Sequence, residues 1–332
     1  MNLPTETPTL VMCAPDFFAI RPPDPRNGAA NQFEIEGYKE FLKDPKAHVR
    51  RAGRQHTEGK KLLRSIGFNT RDMDPVEGLH DSPFTADASL SVSLVNGWNL
   101  PRRNVTIFSR FTNEERSPEV AVTRNFFERE FPERETHTSP FFTEGFGDNR
   151  YDAYRGLLWS GFNKNVSRET AASGRSDIRA HAFLTEATGI EVVSLETKFP
   201  YFHTDTSIGP LSKGHVLCFE GGLQPESYQR FLWNAFDRFG LPREDYLIKV
   251  STEDAKRLAC NTVCLGDEVA IPLCSQELQD SIRRAGYNVT ATDLSCFIGA
   301  GGAYDCITNY VNQPHIPGGY AGRDQHGAAR CG

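Results

Sequence analysis

The chain has 332 residues, a formal net charge of −6 and 38% apolar residues, enough for one large globular domain or two ordinary ones. Lys and Arg are spread along the whole length, which gives neither the basic face a phosphate backbone needs nor a polybasic anchor for anionic lipid. No apolar run approaches the roughly 20 residues of a membrane helix, and Met1 to Glu6 lacks the regions of a signal peptide, so a cytoplasmic protein without nucleic-acid or membrane partners is expected.

In chain order, an opening strand from Leu10 to Cys13 leads into a Pro/Gly-rich surface loop from Pro22 to Gly28. A long helical region follows, with Leu62, Leu63 and Ile66 on one face and Lys60, Lys61 and Arg64 on the wet side. From about Asp81 the pattern becomes strand, turn, strand, helix, strand, and it recurs. The clearest copy takes Leu258 to Cys264, a Gly266-Asp267 turn, Glu268 to Leu273, a helix from Gln276 to Ala285 and a strand from Asn288 to Leu294. An earlier copy runs from Tyr201 through the Lys213-Gly214 turn, strand His215 to Phe219, helix Pro225 to Phe239 and strand Tyr246 to Val250. Others lie around Leu90 to Phe131 and Leu157 to Leu195. The repeat suggests ββαβ units arranged around an axis rather than one open sheet. No Gly-rich phosphate loop accompanies a strand-to-helix turn, so no nucleotide cofactor is expected.

The 8 cysteines are scattered, as in a reducing compartment. Cys260 and Cys264 have no second Cys or His pair nearby to complete a ligand set, and no metal is expected. The sequons at Asn104, Asn165 and Asn288 carry little weight without a secretory signal.

Three polar segments sit oddly in an ordinary core. In Phe142-Thr143-Glu144-Gly145-Phe146-Gly147-Asp148, two acids bracket two glycines, so the backbone can approach something closely. In Phe202-His203-Thr204-Asp205, period-two alternation puts His203 and Asp205 on one face of a strand. In Gly299 to Thr308, a flexible turn delivers Cys306 to an apolar segment. A lone Cys is usually an inert thiol, a lone His a satisfied structural residue, and a Glu-Gly or Gly-Asp pair a turn. Together they are the nucleophile, base and carboxylates needed for covalent attack on a cationic carbon.

The order of a Glu-Gly-x-Gly-Asp turn, a His-x-Asp strand and a Gly-Gly…Cys near the C-terminus resembles the guanidino-group-modifying enzymes: arginine deiminases, dimethylarginine dimethylaminohydrolases and amidinotransferases. The resemblance runs from Leu10-Val11-Met12-Cys13-Ala14-Pro15 to the Cys306 segment. It implies the pentein fold, an α/β five-bladed propeller of ββαβ units around a central polar channel, as one catalytic domain with a Gly- and His-rich tail from about Asn312. It also implies Cys306 as nucleophile, His203 as general acid and base, and Glu144 as the acid that orients the guanidinium and His203. The turn is one residue longer than the family's Glu-Gly-Gly-Asp form, which leaves Asp148 as a substitute for Glu144. Asp87 falls where the family binds the guanidinium, with Asp81 the weaker candidate. Arg116 and Arg175 resemble the pair that holds the substrate α-carboxylate, and Asp205 would be a second guanidinium-binding acid, as deiminases and amidinotransferases usually carry.

The implied activity is hydrolysis of a guanidinium C–N bond in arginine or a substituted arginine through a thiouronium on Cys306, of deiminase or dimethylargininase type, with no cofactor. Amidino transfer to an amine and arginine dihydrolysis are alternatives, the latter branch carrying Asn at the position of Asp87. The acid at Asp205 favours an unmethylated guanidinium. The partner is then a small guanidino substrate, with homo-oligomerisation left open. A papain-like hydrolase would place its Cys before its His, at a helix start, whereas Cys306 follows His203 and is expected to open a strand. A non-catalytic propeller that binds a partner would not need Cys306, His203 and the acids together.

Overall fold

The computed structural model describes residues 7–22, 32–94, 103–166 and 175–313. The Pro22 to Gly28 loop beyond Pro22, and the tail beyond Gln313, lie outside the described residues.

Five three-stranded sheets share one plan. In each, the first strand is antiparallel to the middle one and the middle one parallel to the third. A parallel pair needs a long crossover, and helices supply it. One sheet comprises β3 (Ser89–Leu94), β4 (Arg103–Phe108) and β5 (Glu135–Thr138), with helix Ser117–Glu130 between the last two. The next has β6 (Asn149–Asp152), β7 (Leu157–Phe162) and β8 (Glu191–Glu196), with helix Arg179–Thr188. The third has β9 (Ile208–Pro210), β10 (Val216–Cys218) and β11 (Leu247–Lys249), with helix Pro225–Ala235. The fourth has β12 (Val263–Leu265), β13 (Glu268–Pro272) and β14 (Asn288–Thr292), with helix Gln276–Arg284.

The fifth sheet closes the ring. It joins the last strand, β15 (Asn309–Asn312), to the first, β1 (Thr9–Cys13), and then to β2 (Asn69–Met73). Helices Gln32–Phe41 and Pro45–Ser65 make its crossover. Sequence order hides this unit, because its first strand lies some 300 residues after its second, as in the pairing Leu10↔Tyr310. Side-chain chemistry fixes the helix ends. Asp44 accepts from the Ala47 amide and Pro45 opens the helix, while Ser275 accepts from the Leu278 amide at the start of Gln276–Arg284. The fold is that of the pentein α/β propeller. No helix among the described residues is long and apolar enough to cross a membrane.

Three local expectations need correction. His203 is extended, but Thr204–Thr206 is a 3₁₀ turn, so His203 and Asp205 do not share a strand face. Strand β12 begins at Val263 rather than Leu258, and Leu258 has φ of +55°. Cys306 sits in a turn three residues ahead of β15. The reason is common to all three: each stretch is a polar crossing into the first strand of a blade, where turn hydrogen bonds replace ladder bonds.

The same crossing in the second blade depends on glycine. Gly145 has φ of +45°, and a Cβ there would lie 2.1 Å from the Ala86 carbonyl oxygen. Gly145→Ala is expected to lower stability by at least about 2 kcal/mol, read as a shift in urea midpoint at unchanged slope.

Candidate active site

Each blade sends one short polar crossing toward the axis, just before its first strand. Asp87 lies in the 3₁₀ turn Thr85–Ala88 ahead of β3, and Glu144 caps the single helical turn Gly145–Asp148 ahead of β6. His203 and Asp205 precede β9, Asn261 precedes β12 and Cys306 precedes β15. All are buried.

His203 is the hinge of the arrangement. Its Nε2 is 2.9 Å from Glu144 Oε2, and its Nδ1 is 3.8 Å from Asp87 Oδ1. Gly147 makes room for this, since a Cβ there would lie 2.5 Å from Asp87 Oδ1 and 2.7 Å from His203 Nδ1. Glu144 also takes Arg175 Nη1 at 3.3 Å and the Thr112 hydroxyl at 3.2 Å. Burial works against its ionisation, but Arg175 and then His203 hold the carboxyl down at about 2. Burial likewise disfavours charge on His203, yet Asp87, Asp148 and Glu144 together lift it to about 9. The imidazole is therefore an imidazolium at neutral pH.

Asp148 is set apart. It accepts from the Ser176 hydroxyl at 2.5 Å and reaches His203 only through space, and burial lifts its carboxyl to about 6. The hydrogen bond to His203 thus belongs to Glu144.

Cys306 is 3% exposed and lines the cleft. Its Sγ donates to Asp205 Oδ2 at 3.0 Å and accepts from Asn261 Nδ2 at 3.0 Å. Burial raises the thiol well above its ordinary range, and the charge of Asp205 and then Asp87 adds to that. Burial also raises Asp205, against the pull of His203. Asp205 Oδ1 and Asp87 Oδ1 are buried and have no hydrogen-bond partner among the described residues. Two orphaned carboxylate oxygens beside a thiol are the acceptors a guanidinium would satisfy.

The cleft above them is open to solvent. Asp81, Asp87, Arg116, Arg175, His203 and Cys306 reach its surface, while Glu144, Asp148 and Asp205 lie behind. Arg116 is held by Asp87 at 2.7 Å and by both oxygens of Glu119 at 3.1 and 2.9 Å. Arg175 stacks over the Phe202 ring at 4.2 Å. Both arginines therefore face the cleft while already paired with acids. Asp81 lies at the mouth, 3.8 Å from Arg116 Nε and 3.7 Å from Arg21 Nη2.

Asp87, Glu144 and His203 offer ligand atoms within 4.8 Å of one another, which is also how a cation could be held. Their existing partners, Arg116 and Arg175, suit a planar cation that shares carboxylates with arginines.

Sequence reading missed Asn261, Arg21, and the pair Arg150 and Asp305, whose side chains are in direct contact behind Cys306. Asp305 stood inside the Cys306 segment. The signal for Asn261 was positional: it occupies in the fourth repeat the place that the singled-out residues occupy in the others.

No family model matches the chain. It is 31% identical over 250 residues to the bifunctional arginine dihydrolase/ornithine cyclodeaminase ArgZ of Synechocystis, a match covering 73% of this chain and 31% of ArgZ. The chain thus spans about a third of that protein's length. It is 24% identical over 298 residues to an N(G),N(G)-dimethylarginine dimethylaminohydrolase of Mycobacterium tuberculosis, covering 90% of this chain and 83% of the relative. Among solved structures, the N-terminal domain of ArgZ with bound product superimposes at a TM-score of 0.76 and 26% identity, over 94% of this chain and all of that domain. A variant of that domain has been solved with a reaction intermediate covalently bound.

The His203–Glu144 pair makes stability depend on pH. His203 is raised from 6.5 to about 9, so its contribution is complete below pH 6.5 and lost as pH rises through 9. Glu144 is lowered from 4.5 to about 2, so its contribution is complete above pH 4.5 and lost as pH falls through 2. Urea unfolding should show the advantage of wild type over His203→Gln at its largest between those limits, falling by about 3 kcal/mol from pH 6.5 to pH 9.

Proposed function

This chain is a pentein homologous to the guanidino-group-modifying enzymes, and from that premise we propose that it hydrolyses a guanidinium C–N bond of arginine or a close relative. One observation carries the reading: the Cys306 thiol lies in hydrogen-bond contact with a buried acid, in the same cleft as an imidazolium backed by Glu144.

A guanidinium is a poor electrophile because its charge is delocalised, so the site must fix it and polarise one bond. Asp87 and Asp205 offer free oxygens for its N–H groups, and the cation offsets the negative charge that raises the thiol. The Cys306 thiol passes its proton to Asp205 Oδ2, 3.0 Å away, and the thiolate attacks the central carbon and forms the C–S bond. His203 gives its proton to the leaving nitrogen, the C–N bond breaks, and ammonia or an alkylamine departs. The S-alkylthiouronium remains on Cys306. Neutral His203 takes a proton from water, whose oxygen adds to the same carbon, and the C–S bond breaks to return the thiolate and the imidazolium. Glu144, held ionised, keeps the ring oriented through both steps. Arg116 and Arg175, facing the cleft, are assigned to the substrate α-carboxylate. That requires each to share its guanidinium between the acid it already holds and the incoming group. Asp148 supports His203 by charge alone.

The described residues form one ring of five blades, which supports a single catalytic domain. The described cysteines are all free thiols, which supports a reducing, cytoplasmic setting.

A second reading, arginine dihydrolysis, is favoured by the relation to ArgZ. It repeats the same chemistry on the remaining C–N bonds with a second water, and ends at ornithine, two ammonia and carbon dioxide. Incubation of the purified chain with arginine and with methylated arginines separates the two. Citrulline supports the first reading, and ornithine with ammonia but no citrulline, in the absence of an added amine, supports the second. Cys306→Ser should reduce either product by at least about 1,000-fold. No product from any guanidino compound would contradict both.

A further inference from the structure

Four of the five axial crossings carry side chains with an evident part in the chemistry just described. The fourth blade's crossing carries Asn261, which is fully buried and which no part of that chemistry uses. Its Oδ1 accepts from three backbone amides of the Cys306 turn: Ala303 at 3.1 Å, Asp305 at 2.9 Å and Cys306 at 3.2 Å. Only a carbonyl oxygen can take three N–H donors, so the amide orientation is settled and the NH₂ group must face the other way. It faces Cys306 Sγ at 3.0 Å.

From this geometry we propose that Asn261 is a catalytic residue, whose side-chain N–H donates to the Cys306 sulfur and stabilises the thiolate that attacks the guanidinium. The proton balance is local. In the resting site the thiol hydrogen points at Asp205 Oδ2, 3.0 Å away, and when Asp205 takes that proton the sulfur keeps the electron pair. The acids around the sulfur, Asp205, Asp87 and Asp305, all oppose a second negative charge there. Among the described residues, Asn261 is the hydrogen-bond donor that reaches Sγ and works in the opposite sense. A donor to sulfur lowers the free energy of the anion more than that of the thiol, because a charge-assisted bond is roughly twice as strong as a neutral one. The same side chain fixes where the sulfur sits, so a purely structural role has to be separated from an electronic one.

Asn261→Asp separates them. A carboxylate keeps an oxygen for the three backbone amides, and so preserves the latch, but it replaces the donor with a negative atom facing sulfur. Asn261→Ser is the second variant: its hydroxyl is too short to span the gap, and it removes the donor without adding charge. The probe is iodoacetamide, with Cys306 modification followed by peptide mass across pH. The inference rests on the reading of Cys306 as nucleophile. In wild type, modification of Cys306 should abolish turnover. The pH of half-maximal modification should rise by at least about one unit in Asn261→Asp and by less in Asn261→Ser. kcat near neutral pH should fall about 10- to 100-fold, with KM changed by less than about 3-fold. Unshifted profiles in both variants, with wild-type turnover still lost on Cys306 modification, would overturn the role of Asn261 alone. Turnover that survives full modification of wild-type Cys306 would overturn the reading of the site and this inference with it.

Discussion

Burying a carboxylate away from water costs several kcal/mol unless a cation or several N–H donors meet it, and the axis of this propeller buries five: Asp87, Glu144, Asp148, Asp205 and Asp305. Three of them are matched by arginines, two from the same blade as their acid and one, Arg150, from another. Arg116 meets Asp87, Arg175 meets Glu144, and Arg150 meets Asp305. His203 supplies a fourth cation, held in its charged form by the acids around it. Asp148 and Asp205 are the exceptions, for their hydrogen-bond partners are the Ser176 hydroxyl and the Cys306 thiol rather than cations. The axis thus carries more buried acid than cation beside the reacting sulfur, and a planar cation would offset that excess.

That imbalance also ties the nucleophile to its substrate. With the cleft free of substrate, burial and nearby acids hold the thiol protonated, which protects it from adventitious electrophiles. In the proposed reaction a bound guanidinium would bring positive charge to Asp87 and Asp205, and the thiolate would become accessible when its target is in place. In the same proposal the His203 imidazolium is the acid that the leaving nitrogen needs. Ground-state electrostatics and the order of chemical events follow from one arrangement of charges.

Much of this was legible in the residues. Alternating strand and helix signals exposed four ββαβ units, and Glu144, His203 and Cys306 stood out because reactive residue types lay beside glycines in otherwise apolar company. The fifth unit was hidden because its strands come from opposite ends of the chain, and no local pattern records that β15 pairs with β1. The strand expected at His203 to Asp205 failed because alternation over four residues cannot distinguish a strand from a 3₁₀ turn that enters one. Asn261 went unnoticed because a buried Asn has no chemical signature by itself; its meaning lies in three amides about 40 residues away in sequence. The choice between Glu144 and Asp148 likewise needed the fold, since both acids flank the same glycines and only Glu144 reaches the imidazole.

The central claim is that the sulfur of Cys306 becomes bonded to the substrate's guanidinium carbon. Rapid acid quench of the protein during turnover of arginine, followed by intact and peptide mass measurement, tests it most directly. The account predicts a transient added mass equal to arginine less ammonia, carried by the Cys306 peptide and absent in Cys306→Ser. Turnover that proceeds at full rate with no adduct on that peptide at any quench time, and that persists in Cys306→Ser, would contradict it.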